Sequence, residues 1–228
     1  CAYRASSSMQ SVKNRLANIS PRPSRYLLIL LKGLLFKSDS YLHTTGWMRT
    51  IRTGEINDQA GDPIPWMNYQ MVDFLAERLE STHTLFEYGS GYSTSFYAAR
   101  VKQVHSLEHD EGWYRTISEL VPDNVTMLYQ ALDHDGEYCR RIHTTDTHFD
   151  VVIVDGRDRV NCLKQGLEAL TSRGVLILDD AHRERYHSAI THAKKAGFKT
   201  LKLSGMKPLS PQRSTAMIFY RDNNCLNL

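Results

Sequence analysis

The chain has 228 residues, 41% of them hydrophobic and 23% charged, with a net charge of +3. That length suits one α/β domain with an extension rather than two domains, and the composition argues against a disordered or low-complexity chain. The four cysteines, Cys1, Cys139, Cys162 and Cys225, show no CxxC spacing, which predicts reduced thiols in a cytoplasmic protein rather than a zinc site or a disulfide framework.

A chain that opens on Cys1 is expected to be a fragment or a processed product, with a lipid-modified cysteine as one version of the latter. Up to Thr53 there are nine basic residues against Asp39 alone, a local charge of +8, which leaves −5 for the remainder. Ser20-Pro21-Arg22-Pro23-Ser24 reads as a linker. The apolar run Tyr26–Phe36 that follows is well short of the ~20 residues that span a bilayer. It fits either a helix packed on the domain or a helix lying on an anionic membrane surface, giving peripheral membrane contact. No aromatic–basic interleaving accompanies the charge, so nucleic acid is not expected as a partner.

From Ser38 to Pro65 the chain is rich in turn formers, with Gly46, Gly54, Gly61, Pro63 and Pro65. A helix is predicted from Asn68 to Glu80, with Met71, Phe74, Leu75 and Leu79 on its apolar face. Strands are predicted at Thr84–Tyr88, Gln103–Glu108, Val125–Tyr129, Phe149–Asp155 and Val175–Asp179. Helices lie between them near Ser93–Val101, Glu111–Leu120, Arg159–Leu170 and Arg183–Ala196. Continuous apolar runs such as Val151–Val154 and Val175–Leu178 suit parallel strands covered on both faces. Phe198–Leu203 and Thr215–Arg221 have no helix between them, only a Gly/Pro loop through Pro211, and so should pair antiparallel.

The chemistry concentrates where β-strand gives way to glycine. Gly89 and Gly91 permit a sharp turn and close backbone approach to a ligand. Ser93 or Thr94 can cap the next helix, whose first amides favour polar or anionic ligand atoms. Glu108 closes the next strand, placed to accept hydrogen bonds from both ribose hydroxyls of an adenosine cofactor. A dinucleotide fingerprint would carry a glycine or alanine where Thr94 stands, and the acid Glu87 before the first glycine is unusual there. Both departures favour S-adenosylmethionine over a nicotinamide.

On these residues the chain resembles the class I S-adenosylmethionine-dependent methyltransferases, from Trp47 to Arg221. Glu87-Tyr88-Gly89-Ser90-Gly91 looks like their first motif and Glu108-His109-Asp110 like their ribose-binding segment. The resemblance implies that Glu87, Tyr88, Gly89, Ser90 and Gly91 contact the cofactor, the Gly89–Gly91 turn holding the methionine part, with Glu108 on the ribose and Asp155 also at the cofactor. His109 would lie against the adenine, with Ala131 and Leu132 across the pocket from it. It also implies the reversed final strand pair that separates these enzymes from dehydrogenases.

Acids end two further strands: Asp155 in Val154-Asp155-Gly156, and Asp179-Asp180 before Ala181-His182. In a parallel sheet Asp155, Asp179 and Asp180 converge on one crevice, where a hard cation such as Mg²⁺ would find oxygen ligands. The pattern is similar to the catechol-type O-methyltransferases, but Asp180 stands where those have asparagine, and no lysine follows Asp155 by three residues. The other reading is that Asp155 orders the acceptor loop while Asp179 or Asp180 caps a helix. His182 is the candidate base, with Asp155 and Asp180 beside it, while Arg157 and Arg183 suit an anionic or hydroxylated acceptor. Trp66 and Tyr69, on the stiff Asp62–Tyr69 segment, suit either one wall of that pocket or anchoring of the extension on the core.

The expected architecture is α/β: a Rossmann-like three-layer sandwich on a seven-stranded, mostly parallel sheet with an antiparallel last strand, preceded by a basic helical extension. Residues 1–70 form the extension and residues 71–228 the methyltransferase domain. The expected activity is methyl transfer to oxygen or nitrogen of a small or glycan-like acceptor. A nicotinamide-dependent oxidoreductase and a catalytically silent, membrane-associated scaffold are the alternatives.

Overall fold

The computed structural model describes residues 23–228. Cys1, the basic tip and most of the Ser20–Ser24 linker lie outside them. The described chain opens on helix α1 (Pro23–Phe36), whose leading proline suits a first turn where no N–H partner is needed. Two short helices follow, α2 (Tyr41–Thr44) and α3 (Trp47–Thr53), inside the stretch expected to be turns. Left-handed Gly46 (φ 80°) separates them and Gly54 (φ 76°) ends α3, so these glycines punctuate helices rather than loops.

Helix α4 (Tyr69–Arg78) starts where expected, because the Asn68 side chain accepts the Met71 N–H as its cap. Then come β1 (Thr84–Tyr88), α5 (Tyr92–Ala98), β2 (Gln103–Glu108), α6 (Glu111–Ser118) and β3 (Val125–Tyr129). They are followed by α7 (Glu137–Arg140), β4 (Phe149–Val154), α8 (Arg159–Glu168), β5 (Leu170–Leu178), α9 (His187–Lys195), β6 (Lys199–Lys207) and β7 (Ser210–Tyr220).

The seven strands form one sheet in the order β3-β2-β1-β4-β5-β7-β6. Strand β7 pairs antiparallel with both β5 and β6, and the other neighbours are parallel. The chain moves outward from β1 through β2 to β3, then returns to place β4 on the other side of β1. The resulting crevice at the carboxyl ends of β1 and β4 is the switch point where α/β sheets bind ligands.

Alternation along the strands divides two cores. Phe86, Tyr88, Val152, Val154, Leu176 and Leu178 pack on one face with Cys162 and Leu163 of α8 and with Ala189 and Ala193 of α9. Leu85, Val151, Ile153, Val175 and Ile177 pack on the other with Met71, Val72 and Leu75 of α4 and with Phe96 and Tyr97 of α5. Each fully buried aliphatic of this kind contributes roughly 1.5–3 kcal/mol, so β1, β4 and β5 are the rigid centre from which the site is hung. Ile56, Ile64 and Met67 join the second core from the N-terminal side. Among the described residues Cys139, Cys162 and Cys225 are buried free thiols.

Three boundaries depart from expectation. Strand β5 begins at Leu170, because Leu170 pairs with Phe149 before the register shifts to Val151 opposite Val175. The intervening Ser172-Arg173-Gly174 belongs to a bulged stretch of this strand. The stretch predicted as one helix from Arg183 splits into a 3-10 turn at Glu184–Tyr186 and then α9. The final strands are longer than predicted: Lys207 lies opposite Ser210, so Pro208 and Leu209 (φ 61°) alone make the turn.

Candidate functional site

A cleft of about 1080 Å³ opens at the carboxyl ends of β1, β2, β4 and β5. Its first half is built on the β1–α5 turn. Gly89 adopts φ 96°, and a side chain there would bring its Cβ within 2.9 Å of the Gly156 Cα, so the close approach of the β1 and β4 ends requires glycine. Gly91 (φ 157°, ψ −141°) leaves its surroundings open, the nearest atom to a hypothetical Cβ being on Trp113 at 3.9 Å. Trp113 stands in the first turn of α6, capped by Asp110, and its indole N–H donates to the Ser90 carbonyl at 3.1 Å.

Glu108 is buried at the floor of this half and accepts four hydrogen bonds. Ser90 N–H and Ser90 Oγ donate to Oε2 at 3.1 and 2.9 Å, and the His109 and Asp110 N–H groups donate to Oε1 at 2.7 and 2.9 Å. Burial alone would raise its pKa, but the backbone N–H groups of Asp110, Ser90 and His109 outweigh that and hold the carboxyl below its ordinary value. His109 Nδ1 also lies 2.6 Å from Oε1, though out of line for a hydrogen bond. Of the four donors only the Ser90 hydroxyl is free to rotate away.

Glu87 and Tyr88 do not line the cleft, which corrects their expected contact with the cofactor. Strand alternation turns Glu87 onto the α5 face, where Ser93 and Ser106 hydroxyls donate to its carboxyl at 2.9 and 2.8 Å and the Thr94 hydroxyl bonds it as well. Thr94 Oγ1 in turn accepts the Gly91 N–H at 3.1 Å. The buried acid therefore holds the glycine turn from behind. Burial pushes its pKa up to about 7 despite these donors. Tyr88 is buried on the opposite face, donating its hydroxyl to the Cys139 carbonyl at 2.7 Å.

The second half of the cleft centres on Arg159, which the sequence reading missed. Its guanidinium lies 2.7 Å from Asp155 Oδ1 and 3.7 Å from Asp179 Oδ2. It also donates to the Gly156, Asp179 and Asp155 carbonyls at 3.0, 2.8 and 2.7 Å. Asp180 pairs with Arg183, lies 3.4 Å from Lys207 Nζ, and accepts the Ser214 hydroxyl at 3.2 Å. Asp155, Asp179 and Asp180 do converge as predicted, but cations of the chain itself meet them. Among the described residues no group of three His, Cys, Asp or Glu is arranged to hold a metal ion. A guanidinium between the carboxylates does not fit a Mg²⁺ centre, which corrects that expectation.

The three acids titrate differently. Burial, then Asp155 and Asp180, push Asp179 well above the carboxylate range. Desolvation raises Asp155 against the pull of Arg159. Burial would raise Asp180 too, yet Lys207, Arg159 and Arg183 hold it below its ordinary value. Burial works against the charge of Arg159, but Asp155 and Asp179 outweigh it.

Ser90, His109 and Leu132 line the cleft as expected, with Arg157, Arg183 and Trp66; Ala131 and His182 are exposed and do not. Trp66 donates its indole N–H to the Pro208 carbonyl at 2.8 Å, with Lys207 5.5 Å from its ring centre. Tyr69 is buried beneath α2, edge-on to Tyr41, and forms no wall. Besides Arg159, sequence reasoning missed Lys207, Arg185, Tyr186 and Trp113, all of which line the cleft. A signal existed for Arg159, which stands four residues after Asp155, and for Trp113, in the first turn after the Asp110 cap. Lys207 and Tyr186 reach the cleft only through the hairpin and the 3-10 turn.

A seven-stranded sheet in this order, reversed only at β7, is the Rossmann-like methyltransferase fold. No protein-family model and no curated protein matches the chain. Solved structures of similar architecture include precorrin 8W decarboxylase of Methanobacterium thermoautotrophicum, at 17% identity over 73% of this chain and 96% of that one, with a TM-score of 0.52. An rRNA methylase of Streptococcus thermophilus shares 17% identity over 67% of this chain and 95% of its own, with a TM-score of 0.49. The N-methyltransferase NodS of Bradyrhizobium japonicum shares 14% over 67% and 94%, also at 0.49. At these identities the likeness is one of fold.

Proposed function

We propose that the protein is an S-adenosylmethionine-dependent methyltransferase acting on oxygen or nitrogen of an acceptor bound beside Trp66 and Tyr186. The observation that carries this reading is Glu108, a buried carboxylate kept ionised by three backbone N–H groups at the mouth of a bare glycine turn. The residues present fit the cofactor: the turn at Gly89–Gly91 gives a ligand access to backbone, and His109, Trp113 and Leu132 offer flat or apolar surface for a base. A ribose hydroxyl would take the place of the Ser90 hydroxyl on Glu108. When bound, the cofactor supplies an electrophilic methyl group. The chain's own work is to orient it and the acceptor, which can lower a barrier by ~7–11 kcal/mol.

On the acceptor side, Arg157 and Arg185 line the cleft and belong to none of the ion pairs among the described residues. They favour an acceptor carrying an anionic group, small or glycan-like. Asp155 and Asp180 are each paired with cations, Asp179 is buried against Arg159, and His182 lies off the cleft. None is placed as a free base, so the reading rests on alignment rather than deprotonation. On the same reading residues 71–228 form the catalytic domain and residues 1–70 its extension.

Calorimetry of the 228-residue chain with S-adenosylmethionine, S-adenosylhomocysteine and reduced nicotinamide dinucleotide tests this. The expected result is micromolar binding of the first two and none of the third; the reverse selects the oxidoreductase alternative. Transfer of labelled methyl to anionic small molecules, glycans and RNA then separates the acceptor classes.

A further inference from the structure

We infer that α1 with the adjoining α2–α3 surface is a docking element for a bilayer of anionic lipid. The inference is independent of the activity proposed for the cleft. In this helix Tyr26, Leu27, Leu28, Ile29, Leu30, Leu31, Leu34 and Phe36 are all exposed, Ile29 at 62% and Phe36 at 79%. A helix that is apolar on every side is ordinarily buried in protein or in lipid. Among the described residues the side-chain hydrogen bonds to this helix are at its carboxyl end: Ser40 Oγ donates to the Leu34 carbonyl at 2.8 Å, and His43 Nε2 lies 2.9 Å from the Leu35 carbonyl.

Charge selects the occupant. Arg25, Lys32, Arg49 and Arg52 on these helices and Lys37 in the turn after α1 are exposed, against one acid in the same stretch, Asp39. None of the five takes part in an ion pair among the described residues. A second copy of the chain would bring the same uncompensated cations face to face. An anionic bilayer offers hydrocarbon for the helix and headgroups for the cations, each worth about 1 kcal/mol near such a surface. Exposed Tyr41 and Ile51, on α2 and α3, continue the apolar surface towards the body of the protein. No described helix is long and apolar enough to cross a membrane. The 14 residues of α1 extend about 21 Å, short of a hydrocarbon thickness of about 30 Å, so the helix lies along one face of the bilayer rather than spanning it.

The test is flotation of the full chain with vesicles of phosphatidylcholine alone and of phosphatidylcholine containing about one-third phosphatidylglycerol. Anionic vesicles should carry at least about tenfold more protein than neutral ones, and high salt should release it. Ile29→Glu with Leu30→Glu should cut binding about tenfold, and so should neutralising Arg25, Lys32 and Lys37 together with glutamine. Neither variant should move the thermal midpoint, because these side chains are exposed. Equal binding to both vesicle types overturns the proposal, as does no binding to either. A dimer in solution that Ile29→Glu/Leu30→Glu splits, with no flotation, would assign the helix to self-association and also overturn it.

Discussion

The two halves of the cleft both rest on carboxylates at strand ends, yet they stabilise them in opposite ways. Glu108 is surrounded by backbone N–H groups from its own strand end and from the neighbouring glycine turn, so its charge is fixed by local geometry. Asp155, Asp179 and Asp180 are surrounded by side-chain cations that arrive from α8, the loop after β5 and the β6–β7 hairpin. A carboxylate held by amides keeps acceptor capacity for a ligand's hydroxyl. One matched to a guanidinium is already neutralised and serves to fix the walls. The difference teaches that strand-end acids are not equivalent: which donors meet them decides whether they bind or brace.

The largest effect expected from this contrast lies at Arg159. Replacing it by alanine strips the ion-pair partner of Asp155 and Asp179 and the donor to three carbonyls, and should destabilise the fold by about 3–5 kcal/mol in urea denaturation at neutral pH. A loss under about 1 kcal/mol would mean that the carboxylates simply take up protons and that the second half needs no brace.

Glu87 gives the next effect. The folded state holds its proton up to about pH 7, against an ordinary value of 4.5, so the native chain binds more protons than the unfolded one across that window. Stability should therefore fall by about 3 kcal/mol as pH rises from 4.5 to about 7, then level. Glu87→Gln should remove that part of the slope; a pH profile identical to wild type would place the titrating group elsewhere.

The smallest effect sharpens the first half. Because the Ser90 hydroxyl is the one rotatable donor on Glu108, Ser90→Ala should leave S-adenosylmethionine affinity within about twofold of wild type or tighten it slightly, whereas a loss of about tenfold would show that the hydroxyl serves the ligand directly.

The same contrast explains what the sequence reveals. β1, β2 and β3 begin and end where their β-branched and apolar patterns place them, because each lies between local turn signals. Gly89, Gly91 and Glu108 are legible for the same reason: their roles depend on neighbours within about twenty residues. The second half depends on contacts across the chain. Lys207 reaches Asp180 from the far hairpin, whose Gly205, Pro208 and Pro211 resemble a loop in sequence but sit in or between paired strands. Glu87 adjoins the glycine motif in sequence, but strand alternation turns it away from the cleft, toward Thr94 and Ser106. The convergence of Asp155, Asp179 and Asp180 was legible, but not the arginine that occupies it.

Titration of S-adenosylmethionine into wild type and Glu108→Ala is the most direct test of the account. Loss of the amide-held carboxylate should weaken binding by at least about tenfold, the worth of a charge-assisted hydrogen bond. Affinities that agree within about twofold would contradict it, since the ribose would then be held by something other than this acid.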